Sequence, residues 1–190
     1  IAGTAEQLCV GGADVIQLRA KGFDPDAILT MARLVAPACR EHGVPFIVND
    51  YPEIAAAAGA DGVHIGQGDG NVDEARERAG GCRIVGRSTH SLQQAVAAGA
   101  EGADYIGFGP LHATATKPGR PPIGLDDIAE AHRLLSIPIY CIGGITLRNL
   151  ADVTAAGAKN VVIVSDLLQT EDIPSYVARV KRALAAPKDP

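Results

Sequence analysis

The amino-acid sequence predicts an α/β fold with a parallel sheet, arranged as a (β/α)8 barrel, and three observations support this prediction. An Ala-rich segment that ends in Gly-Ala before a β-branched run recurs at Gly12, Gly59, Gly99 and Gly157. Because glycine caps helices and β-branched residues favour strands, each repeat predicts a helix followed by a strand. Aromatic residues make up only 4% of the chain, which suits close packing of helices on a sheet. Regular alternation of helices and strands is typical of a parallel sheet.

Amphipathic helices such as Asp26–His42 and Leu92–Ala98 separate the predicted strands. The strands are Val15–Arg19, Pro45–Asp50, Gly62–Gln67, Arg83–Ser88, Asp104–Gly109, Pro138–Gly143 and Asn160–Ser165. A helix over about Thr4–Val10 precedes them, so the strands are one short of a (β/α)8 barrel. We therefore expect one barrel domain over residues 1–190 whose first strand, upstream of Ile1, is missing from the chain. The alternative is a doubly wound open sheet, which is disfavoured because no GxGxxG turn is present.

Composition restricts the possible partners of the protein. The formal net charge is -5 and the pI is about 5.5, which argues against non-specific binding of nucleic acid. No apolar run approaches the roughly 20 residues of a membrane span, and no signal peptide opens the chain. The four cysteines are widely spaced without a CxxC pair, so we expect free thiols, no zinc and a cytoplasmic protein. A homo-oligomer is compatible with the sequence.

The first predicted strand carries polar residues toward the carboxyl-terminal mouth of the barrel, where such folds place their chemistry. Alternation directs Gln17, Arg19 and Lys21 to one side, the barrel interior and mouth. Inward cations are costly unless they meet an anion, so these residues predict an anionic ligand. The alternative is a structural ion pair with an inward carboxylate.

Two carboxylates follow the next strands. Asn49 and Asp50 end one strand, and Asp69 lies in the Gly-rich segment after the following strand. Since Mg²⁺ takes one or two carboxylates and completes its shell with water and phosphate oxygens, Asp50 and Asp69 predict a Mg²⁺ site. The alternatives are that Asp50 caps the helix after it and that Asp69 is an ordinary turn residue.

Later strand ends predict hydroxyl and backbone groups for a phosphorylated ligand. Ser88 can donate to an anion, whereas His90 is assigned a structural role in preference to acid–base chemistry because Ser91 caps the next helix. The loops after the last two strands of a barrel form its usual phosphate site. That site would include Gly144, Val164 and Ser165.

The loop over residues 107–124 is rich in Gly and Pro and carries Thr114, Thr116, Lys117 and Arg120. Two hydroxyls, cations and exposed loop amides suit a phosphate or pyrophosphate group. The prolines of the loop lower the entropic cost of holding these groups in place. The alternative is a solvated surface loop with an incidental lysine.

The ordered set QLRAK, ND, HIGQGD, GRSTHS, GFGP…TATK…PPIG, IGG and VS resembles the thiamine phosphate synthase family from about Val15 to Ser165. Each piece is weak alone, but their order and spacing together are specific. The resemblance implies a (β/α)8 barrel. It also implies a transferase that joins 4-amino-5-hydroxymethyl-2-methylpyrimidine diphosphate to hydroxyethylthiazole phosphate. Thiamine phosphate and pyrophosphate would form in a Mg²⁺-dependent reaction that passes through a pyrimidine carbocation.

The resemblance also implies a role for each matching residue. Asp50 and Asp69 would hold Mg²⁺, while Arg19, Lys21, Ser88 and Lys117 would serve the departing pyrophosphate. The pyrimidine diphosphate would be held by Gln17, Arg19, Lys21, Asn49, Ser88 and Lys117, and the thiazole phosphate by Thr114, Thr116, Gly144, Val164 and Ser165. The chain departs from the family pattern at Ala115, often Pro, and at His112, usually apolar or aromatic, to which no role is assigned.

Three other functions remain open from the sequence. A thiazole tautomerase of the same fold would use a histidine at His90 and would not need a metal pair. A phosphate-binding isomerase would need a proton-abstracting acid or base, for which His90, Asp50 and Asp69 are the candidates. A non-catalytic regulator would retain only the phosphate site, and the two carboxylates argue against it.

Overall fold

Seven parallel strands form one sheet, and each pairs with its neighbours in chain order. They are seen in a computed structural model that describes residues 1–114, 119 and 121–185. The strands are β1 (Ile16–Leu18), β2 (Phe46–Asn49), β3 (Gly62–Ile65), β4 (Ile84–Thr89), β5 (Tyr105–Phe108), β6 (Ile139–Ile142) and β7 (Asn160–Val162). All seven predicted strands are therefore confirmed, with ends that differ from the prediction by at most three residues. The largest change is at β7, which stops before Ser165 because that residue begins a helix.

Helices follow the strands as the sequence predicts. They are α1 (Ala2–Val10), α2 (Pro25–Glu41), α3 (Pro52–Ala58), α4 (Val72–Arg78), α5 (Leu92–Ala100), α6 (Ile128–Leu134), α7 (Leu150–Ala155), α8 (Ser165–Leu168) and α9 (Ile173–Ala185). The longest, α2, begins where the Asp24 side chain accepts from the Ala27 N–H at 2.9 Å. Such a cap satisfies a backbone donor that the helix itself leaves unpaired.

The sheet has two edges, β1 and β7, which are not paired with each other among the described residues. The helical layer continues across this gap, because α1 packs against both α2 and α9. The result is a TIM-like α/β fold, consistent with a barrel that lacks one strand. The sequential strand order excludes the doubly wound alternative, in which the order reverses at a switch point.

The two faces of the sheet differ in chemistry because side chains alternate along each strand. The helix-facing side forms the apolar core, with fully buried Val63, Val85 and Ile106 among its members. The residues between them point to the barrel interior and include polar groups. Asn49, His64 and Ser88 are the buried polar residues of this face. The fold therefore collects polar groups inside the curl of the sheet and at its carboxyl-terminal end.

Close strand packing predicts opposite effects for two glycine substitutions. A Cβ on Gly62 would lie 2.2 Å from the Ile84 carbonyl oxygen of the paired strand, whereas one on Gly3 of α1 would meet nothing within 4 Å. Gly62→Ala is expected to lower the free energy of unfolding by about 3 kcal/mol, as overpacking against backbone does. Gly3→Ala should raise it by up to about 1 kcal/mol through helix propensity. Urea unfolding followed by circular dichroism measures both, and equal effects would contradict the predicted contact.

Three of the cysteines, Cys9, Cys39 and Cys141, are buried, whereas Cys82 is partly exposed. All four are free thiols, and burial raises the pKa of Cys39 and of Cys141 to about 12. None of the described helices combines the length and the apolar character needed to span a membrane.

Candidate active site

A cavity of about 560 Å³ opens at the carboxyl-terminal ends of the strands, and we call it the mouth cavity. Its lining contains six of the residues that the sequence predicts for ligand or metal binding, contributed from β1 to β4 and the segments after them. The lining residues are Arg19, Lys21, Asn49, Asp50, Gly66, Gln67, Gly68, Asp69, Ser88, His90, Gly119 and Pro121. Residues more than 60 positions apart in the sequence thus face one space.

Other predicted residues lie elsewhere or cannot be placed. Gln17 is on the exposed edge strand β1 and does not line the mouth cavity. Thr114, Gly144, Val164 and Ser165 also lie outside this lining. Thr116, Lys117 and Arg120 fall outside the described residues. Of the loop that carries them, Gly119 and Pro121 border the cavity, which brings this loop to the predicted site.

Asp50 has an unusual backbone at the rim of the cavity. Its φ is +68°, and it is the non-glycine residue with positive φ among those described. The alternative in which Asp50 caps α3 is wrong, since Tyr51 occupies the cap position without a side-chain cap bond. Instead, Lys21 Nζ lies 2.9 Å from Asp50 Oδ2. The structural ion pair considered for the β1 cations is therefore present at Lys21. A left-handed conformation outside glycine is costly and concentrates at functional sites.

Asp69 is a turn residue, as the alternative interpretation of the sequence has it, and it also lines the mouth cavity. Its Oδ2 accepts from the Gly66 N–H at 2.7 Å, which closes the segment after β3. Among the described residues no cluster of three or more His, Cys, Asp and Glu side chains could hold a metal. A pair of carboxylates in one cavity nevertheless fits Mg²⁺, which needs only one or two of them when phosphate oxygens are present.

Arg19 and Asn49 bring hydrogen-bond donors to the same space. The Nε atom of Arg19 is buried and has no hydrogen-bond partner among the described residues. Asn49 is 9% exposed at the end of β2. A buried guanidinium N–H without an acceptor is costly, and an anionic ligand in the cavity would satisfy it.

Ser88 is held by two side chains to which sequence analysis assigns no role. His64 Nε2 lies 2.9 Å from Ser88 Oγ, and the Gln67 amide donates to the Ser88 carbonyl at 2.6 Å. Both residues belong to the HIGQGD segment. His64 is unusual because it is a polar residue in β3, a strand in which every residue is buried.

His90 is anchored at the edge of the mouth cavity. Its Nδ1 donates to the Gly109 carbonyl at 2.5 Å, and its backbone N–H donates to Gln94 Oε1 at 2.8 Å. Ser91 caps α5 by accepting from the Gln94 N–H at 3.2 Å, as predicted. These bonds give His90 a structural role, while its place in the lining also puts it beside a bound ligand.

The predicted phosphate site after β6 and β7 is organised by side chains. The Asn149 amide donates to the Gly144 carbonyl at 2.9 Å and accepts from the Thr146 N–H at 2.8 Å. Asp166 of α8 accepts from the Leu147 N–H at 3.3 Å, which ties the loop to that helix. A Cβ on Gly144 would lie 2.7 Å from the Ala113 carbonyl oxygen. Gly144 is thus next to the chain that leads into Thr114.

Comparisons with known proteins agree with this arrangement. The sequence model described as thiamine monophosphate synthase matches residues 1–167. A thiamine-phosphate synthase of Thermus thermophilus is 45% identical over 93% of this chain and 85% of its own length. One of Prochlorococcus marinus is 44% identical over 95% of this chain and 51% of its own length. The chain therefore spans about half the length of that relative.

A solved structure is similar over nearly the whole chain. The thiamine phosphate pyrophosphorylase of Pyrococcus furiosus superposes with a TM-score of 0.86 at 28% identity. The match covers 96% of this chain and 88% of the other. The arrangement of strands and helices is therefore shared well beyond the segments that line the mouth cavity.

Proposed function

Because this chain belongs to the thiamine monophosphate synthase family, we propose that it joins a pyrimidine diphosphate to a thiazole phosphate and releases pyrophosphate. The substrates are 4-amino-5-hydroxymethyl-2-methylpyrimidine diphosphate and hydroxyethylthiazole phosphate. The thiazole nitrogen forms a bond to the pyrimidine methylene carbon, whose bond to the diphosphate oxygen breaks. The observation that carries the proposal is one cavity in which cations, carboxylates and a buried serine meet.

The diphosphate is assigned to the donors of the mouth cavity. Arg19, Lys21 and Ser88 bring two cations and a hydroxyl to one side of that space. Developing negative charge on a leaving group is stabilised most by donors that are already in position. The second substrate is the nucleophile, so no nucleophilic side chain is required. Departure of the diphosphate before attack leaves a carbocation, which these donors favour by stabilising the leaving group.

Mg²⁺ is the proposed cofactor, with Asp50 and Asp69 as its protein ligands. Both carboxylates line the mouth cavity, and hard oxygen donors suit this ion. When bound, the ion supplies positive charge to the departing pyrophosphate. Lys21 already lies against Asp50, so the same carboxylate orients a cation from β1.

The thiazole phosphate is assigned to the loops after β5, β6 and β7. The Asn149 bonds order the loop after β6. The His112 N–H donates to the Gly143 carbonyl at 3.1 Å and Gly144 approaches Ala113, which joins this loop to the one after β5. Thr114, Thr116, Gly144, Val164 and Ser165 are the proposed contacts. Lys117, although outside the described residues, is proposed to reach the diphosphate from the same loop.

The direct test supplies both substrates and Mg²⁺ to the purified protein and follows thiamine phosphate by chromatography. Turnover that stops on addition of a chelator and returns with excess Mg²⁺ supports the proposal. Absence of product with both substrates present would contradict it. Titration calorimetry with Mg²⁺ and pyrophosphate adds a binding test that is independent of turnover.

Asp69 provides a variant test of the metal assignment. Asp69→Asn keeps an oxygen that can accept from the Gly66 N–H, so the turn should remain, while the charge is lost. We expect kcat/KM to fall roughly a hundredfold, with a higher Mg²⁺ concentration needed for half-maximal rate. Asp73→Asn, at an exposed position of α4, is the control and should have the same rate and Mg²⁺ requirement as the wild type. An unchanged Mg²⁺ requirement in Asp69→Asn would remove this residue from the metal site.

The tautomerase hypothesis keeps one supporting observation, the position of His90 in the cavity lining. A tautomerase would lose its reaction in His90→Asn and would run without Mg²⁺. A synthase should lose activity in the chelator and retain metal-dependent binding of pyrophosphate in His90→Asn. Assays of both reactions on these two samples separate the functions.

A further inference from the structure

Three side chains on three adjacent strands form a hydrogen-bonded chain that leads from the barrel interior to the mouth cavity. The Tyr105 hydroxyl on β5 lies 2.9 Å from His64 Nδ1 on β3. The other ring nitrogen of His64, Nε2, lies 2.9 Å from Ser88 Oγ on β4. Ser88 lines the mouth cavity, whereas His64 and Tyr105 do not. Within this hydrogen-bonded chain, the serine hydroxyl is the group that faces the mouth cavity.

Glycines at matching positions make this chain possible. Gly86 of β4 is in register with His64 on one side and with Tyr105 on the other. A Cβ on Gly86 would lie 2.0 Å from Tyr105 Cζ, so the ring occupies the space above this glycine. A Cβ on Gly107 would lie 3.4 Å from His64 Cε1. The sheet therefore leaves room for both rings in the positions where they bond.

The chain has two possible directions because a neutral histidine carries one N–H. If Tyr105 donates to Nδ1, the N–H of His64 is at Nε2 and donates to Ser88 Oγ. The serine proton is then available to a ligand in the cavity. In the reverse direction, the Ser88 hydroxyl donates to His64 Nε2. Ser88 Oγ can then only accept a hydrogen bond from a ligand in the cavity.

Acidity decides between the two directions. A phenol is a stronger acid than a neutral imidazole N–H, and an imidazole nitrogen is a stronger acceptor than a phenol oxygen. Burial raises the pKa of the Tyr105 phenol, and the Gln17 amide beside its oxygen partly offsets this rise. On this order of acidities, the phenol donates its proton to His64 Nδ1.

We propose that Tyr105 and His64 are positioning residues that hold the Ser88 hydroxyl as a hydrogen-bond donor to a diphosphate oxygen in the mouth cavity. The inference rests on the proposed function, since it takes the ligand to be a diphosphate. An anionic ligand is bound by hydrogen-bond donors. If Ser88 instead donated to His64, the lone pairs of its oxygen would face the phosphate oxygen and repel it.

The test uses inorganic pyrophosphate with Mg²⁺ as probe, in titration calorimetry on the full chain. Tyr105→Phe is expected to lower pyrophosphate affinity about fivefold, the value of one hydrogen bond. Tyr140→Phe is the matched control, because the Tyr140 ring packs edge-on against Tyr105 at 5.3 Å and is outside the chain of bonds. An equal loss in Tyr140→Phe would overturn the inference.

A double-mutant cycle separates positioning from packing. In the Ser88→Ala background, Tyr105→Phe should have no further effect on pyrophosphate affinity, because its influence passes through the serine. Additive losses would overturn the inference. His64→Gln can still donate near the Nε2 position and should keep most of the affinity, whereas the shorter His64→Asn should not.

The tautomer of His64 gives a readout that does not depend on binding or turnover. In ¹⁵N NMR of the wild type above pH 8, the proton should be on Nε2, and Tyr105→Phe should reduce that preference. A proton on Nδ1 would overturn the inference. If the wild type fails to bind pyrophosphate at all, the proposed function fails, and this measurement still decides the direction of the chain.

Discussion

Replacing Asp50 is expected to remove most of the catalytic activity without unfolding the protein. Asp50→Asn keeps the size of the side chain and its tolerance of positive φ but removes the charge. We expect kcat/KM to fall between about a hundredfold and a thousandfold, because one proposed metal ligand and the partner of Lys21 are lost together. Initial rates over a Mg²⁺ titration measure the loss. Wild-type rates at limiting Mg²⁺ would contradict it.

The backbone at Asp50 adds a second expectation from the same position. Asp50→Gly and Asp50→Ala should lose the same activity but differ in stability. Glycine adopts a φ of +68° without strain, whereas alanine pays roughly 1–2 kcal/mol for it. The glycine variant should therefore be the more stable by about 1 kcal/mol, the reverse of their order in helices. Urea unfolding of the two variants checks this difference. Equal stability would mean that the backbone of Asp50 is not strained.

The fold was predictable because its pattern is local. Each Gly-Ala segment is followed by a β-branched run, and the seven predicted runs are the observed strands. Strand ends were less predictable, since a residue such as Ser165 can extend a strand or begin a helix. The choice depends on contacts with a distant segment, as where Asp166, the residue after Ser165, accepts from the Leu147 N–H. Such contacts are absent from a local pattern.

Most of the residues that line the mouth cavity could be predicted from the sequence, but the contacts between their side chains were less predictable. Parallel strands bring their ends to one side, so Arg19, Asp50 and Ser88 could be assigned to one site from the sequence. The chain from Tyr105 through His64 depends on strand register, which places the Tyr105 ring over Gly86 and the His64 ring against Gly107. Register is set by the whole sheet, and a pattern of residues along one strand does not contain it.

The left-handed backbone of Asp50 is another feature that the sequence could not provide. Aspartate tolerates positive φ better than most residues, but it adopts the ordinary conformation far more often. Here the Asp50 N–H donates to the His64 carbonyl at 2.9 Å and continues the pairing of β2 with β3. The next residues must begin α3, so the chain turns sharply at Asp50.

The second large effect is expected at Arg19, and the buried Arg87 provides a comparison. Arg19 faces the mouth cavity with its Nε unpaired among the described residues. Arg87 lies on the opposite face of the sheet. It donates to the Gly70 carbonyl at 2.6 Å and lies 3.4 Å from a carboxylate oxygen of Glu101. One guanidinium is positioned for a ligand and the other for structure.

Arg19→Ala should lower kcat/KM for the pyrimidine diphosphate about a hundredfold, because the charged donor proposed for the diphosphate is lost. The KM for the thiazole phosphate should change little. Stability should stay within about 0.5 kcal/mol of wild type, since no protein hydrogen bond to Nε is removed. Steady-state kinetics with each substrate varied in turn, together with urea unfolding, give all three values.

Arg87→Ala should show the opposite behaviour. Its removal takes the Arg87 donor from the Gly70 carbonyl and the ion-pair partner from Glu101, which still accepts from the Val72 N–H, and this should cost about 2 kcal/mol of stability. The folded fraction should keep the wild-type kcat, since Arg87 does not line the mouth cavity. Arg19→Lys extends the test, because a lysine keeps the charge but cannot present the planar fork of donors, so activity should recover only in part. If Arg19→Ala loses stability and retains kinetics, Arg19 is a structural residue and the diphosphate binds elsewhere.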